Sequence, residues 1–162
     1  VGLKEENRDL TVNDIIVATL GLIESEILQN HVSLRTELAD DAPRVQGDRV
    51  QLQQVILNLI LNAIEAMSRI PEGPRVLTVG SGRCGGEGVL VTVQDTGGGL
   101  APESLDRVFN AFYTSKPDGM GMGLAISRSI VEAHGGRIWA TANAPRGAVF
   151  QFSLPGGARD RE

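Results

Sequence analysis

The strand-forming runs of this chain come in adjacent pairs, with helices grouped around them, and this order limits the fold more than any other feature. Residues 76–79 and 89–93 read as neighbouring strands joined through the glycine-rich segment 81–88. Residues 137–142 and 148–154 read as a closing hairpin across 143–147. Helical periodicity begins at Thr11, with Thr11 or Asn13 as the expected cap and Ile16, Leu20, Ile23 and Ile27 on one face. A strand over 32–38 follows, with Val32, Leu34 and Leu38 on one side. Asp48 is placed to cap a second helix that runs to about Arg69, and residues 71–74 end it. Pro102 starts a short helix, and a third long helix runs from about Met122 to His134, stopped by Gly135 and Gly136. A doubly wound sheet would alternate strand and helix regularly. This order predicts an α+β fold, a two-layer sandwich with a mixed, mostly antiparallel sheet and helices on one face.

A chain of 162 residues can build one domain with its own core. The expected organisation is a linker or the end of a preceding helix over 1–10, one domain over 11–155 and a disordered tail over 156–162. The chain opens at Val1, which suggests a piece of something longer. A net charge of −5 and the lack of a basic tract weigh against nucleic acid as a partner. Cys84 is the only cysteine, which excludes an internal disulfide and fits a reducing, cytoplasmic setting. No uninterrupted apolar run is long enough to cross a bilayer, so no membrane contact is expected of this domain, although a longer protein could carry an anchor.

Three constellations carry chemistry. On the second helix, Leu52, Val55, Ile56, Leu59, Ala63 and Met67 form a core stripe, beside Gln51, Gln54, Asn58, Asn62 and Glu65. Gln51 and Gln54 suit solvent. Two asparagines one turn apart on an apolar helix need another reason, because asparagine is a poor helix former and a buried amide must be bonded. An amide oxygen is a hard neutral ligand for Mg²⁺. The second constellation is Asp95-Thr96-Gly97-Gly98-Gly99, directly after a strand. A tight turn explains it in isolation. A carboxylate only accepts hydrogen bonds, so it also suits the exocyclic amine of adenine and repels the oxygen that guanine carries there. The third is the run from Arg107 to Leu124, where Phe109 and Phe112 read as core anchors, Lys116 follows, and Gly119, Gly121 and Gly123 alternate before an apolar helix. Such glycines let backbone crowd a ligand, and the helix start offers unpaired N–H groups to a phosphate. Lys116 is either a solvated lysine or a cation that swings over a γ-phosphate.

An asparagine-bearing helix, D-x-G-x-G, a phenylalanine pair and G-x-G-x-G-L, in that order, resemble the N, G1, F and G2 boxes of sensor histidine kinases. The likeness covers about 11–155 and looks most like PAS-linked kinases of the oxygen- and nitrogen-sensing type, through N-A-I-E-A-M and F-Y-T-S-K-P. It implies the Bergerat ATP-binding sandwich shared with gyrase, Hsp90 and MutL, with ATP and Mg²⁺ bound. By position it makes Asn62 the metal ligand and sets Asn58 one turn earlier, facing the phosphates. Asp95 becomes the adenine-reading acid, with Gly97 and Gly99 shaping its pocket. Gly119, Gly121, Gly123 and Leu124 belong to the phosphate-side lid, and Lys116 is the lid lysine. Two positions depart from many members: Glu65 stands where a basic residue is common, and Ala66 where an aromatic is common.

The resemblance further implies transfer of the ATP γ-phosphate to a histidine on a separate dimerisation domain, and a response regulator downstream. His31 and His134 lack the acid that follows the family's phosphoacceptor and read as structural, so the chain is expected to be an isolated, monomeric ATP-binding domain. Hydrolysing relatives such as gyrase place a glutamate one turn before the metal asparagine. Asn58 stands there and cannot take a proton, which implies slow hydrolysis. Two alternatives remain at this point, an anti-sigma-type protein-serine kinase and a nucleotide-binding signalling module that does not catalyse.

Overall fold

The computed structural model describes residues 7–105, 107–110 and 123–156. Its main sheet has the strand order β2-β4-β5-β7-β6, formed by β2 (Ser33–Glu37), β4 (Val76–Cys84), β5 (Gly88–Gln94), β6 (Arg137–Ala142) and β7 (Ala148–Leu154). Only β2 and β4 run parallel, and every other pairing in this sheet is antiparallel. Helices α1 (Val12–Leu22), α2 (Glu24–Gln29), α3 (Arg49–Ser68) and α4 (Gly123–Ala133) complete the layer on one face. The expected α+β sandwich is therefore the observed fold.

Period-two burial sets the strands. In β5, Val89, Val91 and Val93 are buried while their neighbours are half-buried, and β7 buries Ala148, Phe150, Phe152 and Leu154 in the same rhythm. Against this face α3 buries Leu52, Val55, Ile56, Leu59, Ala63 and Met67, the predicted stripe. This helix is long and apolar enough to cross a membrane by length and composition, and its apolar side is spent on the chain's own core. Asp48 caps it as expected, accepting from the Gln51 N–H at 3.1 Å, a bond that contributes about 1 kcal/mol.

Several expectations need correction. Asn7–Leu10 is a strand, β1, where a linker or helix end was expected, and it pairs antiparallel with β3 (Val45–Asp48). The first helical pattern breaks at Ile23 into α1 and α2, with Ile23 still buried at the break. Neither expected cap works through its side chain. Thr11 does hold the N-cap position of α1, as expected, but caps it through its carbonyl, which accepts from the Asp14 and Ile15 N–H groups, and makes no side-chain cap bond. The Asn13 amide instead donates to the Ala39 carbonyl at 2.8 Å and accepts from the Ser81 hydroxyl at 2.5 Å. The segment expected to join β4 and β5 is mostly strand, because β4 continues to Cys84. All of β2 is exposed, Leu34 included, since an edge strand has cover on one side only.

His134 has the structural part expected of it. Its Nδ1 donates to the Ile130 carbonyl at 2.8 Å, so its Nε2 accepts from the Asp48 N–H at 3.1 Å, joining the end of α4 to the start of α3. A side chain at Gly47 would lie 2.6 Å from this ring, which fixes glycine there. His31 takes a left-handed turn (φ 57°) just before β2, with its side chain exposed.

Candidate functional site

Asp95 follows the last residue of β5 and is 1% exposed. Its Oδ1 accepts from the Gly97 N–H at 2.8 Å and the Ala148 N–H at 3.3 Å. Oδ2 receives no hydrogen bond among the described residues, and Asp95 lines a cavity of about 330 Å³. Burial pushes its carboxyl above the ordinary value, and the two N–H groups offset this only in part. The result is a buried acid whose second oxygen is short of a donor, in a space at the small end of ligand pockets.

The cavity walls come from three places. From α3 come Asn62, Glu65 and Ala66, with Arg69 and Ile70 just past its end; from the glycine turn come Gly98, Gly99 and Leu100; from β7 come Ala148 and Phe150. Glycine is forced where the turn meets its supports. A Cβ at Gly97 would lie 2.8 Å from the Ala66 backbone carbon, so the turn rests directly on α3. Gly99 has φ +82°, and its Cβ would lie 3.1 Å from the Gly147 carbonyl oxygen. Thr96 fastens the turn from below: its hydroxyl donates to the Pro74 carbonyl at 2.8 Å and accepts from the Val76 N–H at 3.0 Å.

The two asparagines do different work. Asn62 lines the cavity, and its side chain makes no hydrogen bond to any described residue. Asn58 is engaged: its amide nitrogen donates to the Gly123 carbonyl at 3.2 Å and the Ser127 hydroxyl at 3.3 Å, while its oxygen accepts from Gln54 at 2.8 Å. It ties the first residues of α4 to α3, one turn from Asn62. Asn58→Ala is expected to cost about 1–2 kcal/mol of stability by releasing that tie. Asn62→Ala should leave thermal unfolding within about 0.5 kcal/mol of the native chain, since no described residue bonds its amide. A thermal melt of the two variants side by side checks the contrast.

Gly123 opens α4, and a Cβ there would sit 3.9 Å from the Asn58 side chain, an ordinary contact, so packing against α3 does not demand glycine. Leu124 is half-buried against the core. Lys116, Gly119 and Gly121, with Phe112, lie outside the described residues. Phe109 is the core anchor expected, edge-on to Phe150 at 5.9 Å between ring centres. The structure adds residues that the sequence reading passed over as a hairpin turn. Arg146 donates to the Thr96 carbonyl and to the Glu72 carbonyl, both at 3.1 Å, and Gly147 (φ +109°) lies against the Asp95 carbonyl. The available signal was the asparagine four residues before a glycine in that turn.

A glycine turn rests on α3, and a buried acid and an unbonded side-chain amide line one cavity. The family described as histidine kinase-, DNA gyrase B- and HSP90-like ATPases matches residues 47–158. The chain belongs to this ATPase family. Among its relatives, the sensor protein FixL of Bradyrhizobium diazoefficiens is 46% identical over 127 residues, 78% of this chain and 25% of FixL. The sensor histidine kinase ZraS of Salmonella typhi is 39% identical over 153 residues, 94% of this chain and 32% of ZraS. The catalytic domain of the histidine kinase ThkA superposes with a TM-score of 0.82 at 32% identity, over 93% of this chain and 96% of that domain. ThkA has also been solved in complex with the response regulator TrrA. This ATPase domain spans a quarter of FixL and about a third of ZraS.

Proposed function

We propose that the domain binds Mg·ATP and presents its γ-phosphate to a histidine on a separate dimerisation domain, as the catalytic part of a two-component sensor histidine kinase. The observation that carries this reading is the pairing of a donor-starved Asp95 with an unbonded Asn62 on one cavity. Asp95 Oδ2 accepts from the adenine amine, and the same oxygen repels the guanine carbonyl. Ala66, Ile70 and Leu100 give the base apolar walls, and the glycine turn leaves room for its plane.

Asn62 offers an amide oxygen with no competing partner, the donor type that suits Mg²⁺ bound chiefly through phosphates. The metal, when bound, neutralises charge on the phosphate tail. From Asn62 the tail runs along α3 toward the start of α4, where free N–H groups and the helix dipole favour an anion. Asn58 acts there by holding Gly123 in place, and Lys116, outside the described residues, is proposed as a cation for the γ-phosphate. The acceptor imidazole attacks phosphorus with its own lone pair; the P–N bond forms as the bridging P–O bond breaks, and ADP leaves. A response regulator then takes the phosphoryl group. The domain works as a monomer in a reducing, cytoplasmic setting without nucleic acid or membrane contact.

The test is transfer from radiolabelled ATP to a supplied histidine-bearing hairpin of a sensor kinase. Acid-labile, base-stable label on the hairpin is the expected outcome; label on serine would favour the anti-sigma-type reading, and no label the non-catalytic one. With an amide at 58, which cannot take a proton from water, steady-state hydrolysis by the chain alone should be slow, near or below about one turnover per minute on the order-of-magnitude scale of unassisted nucleotide hydrolases. Turnover at seconds per cycle would refute that assignment. Asn62→Ala should abolish the Mg²⁺ dependence of nucleotide binding in a titration with and without the metal.

A further inference from the structure

Beyond β5 the strand ladder ends. Gln94 still pairs with Val149 and the Asp95 N–H still donates to the Ala148 carbonyl at 2.9 Å, but the Asp95 carbonyl lies beyond the first residue of β7 and has no backbone donor among the described residues. The Asn143 side chain replaces it: its Nδ2 donates to the Asp95 carbonyl at 2.7 Å. Asn143 is itself fixed from three sides. Its Oδ1 accepts from the Ala144 N–H at 2.9 Å and from Gln94 Nε2 at 3.2 Å, and its own N–H donates to the Gly147 carbonyl at 3.0 Å. Arg146 fastens the next carbonyl, that of Thr96.

We infer that Asn143 is a positioning residue for base recognition: its amide holds the main chain of Asp95 so that Oδ2 meets the purine amine. The inference rests on the adenine-reading role proposed for Asp95. Asn143 is not among the residues that line the cavity, and it acts through the carbonyl it holds. Rotation of that peptide would swing the carboxylate on its backbone and break the angle of a charge-assisted bond, which weakens steeply with misalignment. Affinity for the base should fall while the phosphate end is unaffected.

The readout is preference for ADP over inosine diphosphate, in which a carbonyl oxygen stands where adenine has its amine, measured by calorimetric titration of the chain with Mg²⁺. A turn residue that only supports folding would weaken both ligands alike. Two variants separate the roles. Asn143→Ala removes the donor and the acceptor. Asn143→Asp keeps the acceptor that serves Ala144 and Gln94, so the turn is retained, but sets a carboxylate against the Asp95 carbonyl. Both should compress the ADP preference about tenfold, and neither should compress it further when combined with Asp95→Asn. An unchanged preference in folded Asn143→Asp, with Asp95→Asn still abolishing it, would overturn the role of Asn143 alone. A preference that survives Asp95→Asn would overturn the reading of Asp95 as well.

Discussion

Asp95→Asn is expected to make the nucleotide-free chain more stable and nearly unable to select adenine. The two effects share one cause. Burial holds the native carboxyl above its unfolded value, so the ionised form folds less favourably than the protonated form. The stability that this group permits is complete below the ordinary aspartate value, about pH 3.9, and is lost as pH rises through the native value. At neutral pH the charge is a cost, and asparagine removes it. The gain should be about 1 kcal/mol, or roughly 2–4 °C in the unfolding midpoint, largest at neutral pH and vanishing in acid. The same change reverses the chemistry of the cavity. The Gly97 and Ala148 N–H groups both bond Oδ1, so an asparagine must keep its oxygen there and turn its NH₂ toward the cavity. Donor then faces donor at the adenine amine, and affinity should fall at least about 100-fold. Melting curves across pH and an ADP titration check the pair. A variant that is less stable at pH 7, or one that binds ADP normally, contradicts the account.

Gly147→Ala carries the largest expected loss of stability. The residue has φ +109°, and its Cβ would lie 2.0 Å from the Asp95 carbonyl oxygen and 2.8 Å from the carbon of the same group. Neither can move cheaply, because that carbonyl is held by Asn143 and its chain neighbours by Ala148 and Pro74. Strain at the dihedral and displacement of the turn should together cost about 3 kcal/mol or more, a fall of roughly 6–12 °C. Gly98→Ala is the comparison. It lies in the adjoining turn, has nothing within 4 Å of its Cβ and faces the cavity. Its melt should match the native chain, with weaker nucleotide binding because the new methyl enters the space for the base. Equal melts for the two variants would mean that the turn is looser than described.

The elements legible from sequence are those whose signal is local. Helix α3 announces itself through a capping aspartate and an unbroken apolar stripe, and the β6–β7 hairpin through alternation on both sides of a polar turn. The pairing of β1 with β3 was not legible, because each strand has four residues, too few for a period to show. The exposure of β2 depends on its place at the sheet edge, which no residue within it encodes. At the site, Asn62 stands out as an asparagine on an apolar helix, whereas the turn after Asp95 reads as an ordinary one in isolation and draws notice only through the order of the motifs; the structure brings Asp95, Gly99 and Asn62 to one cavity. Asn58 and Asn62 look alike in sequence, and what separates them is Gly123 and Ser127, more than sixty residues away. Asn143, Arg146 and Gly147 read as ordinary turn residues until β7 is laid beside β5.

The most direct measurement is a crystal structure of the chain with Mg²⁺ and a non-hydrolysable ATP analogue. The account predicts the adenine amine within hydrogen-bond distance of Asp95 Oδ2 and the metal on Asn62 Oδ1, with the phosphates pointing to the start of α4. A nucleotide seated elsewhere, or a base that leaves Asp95 Oδ2 without a donor, would contradict it.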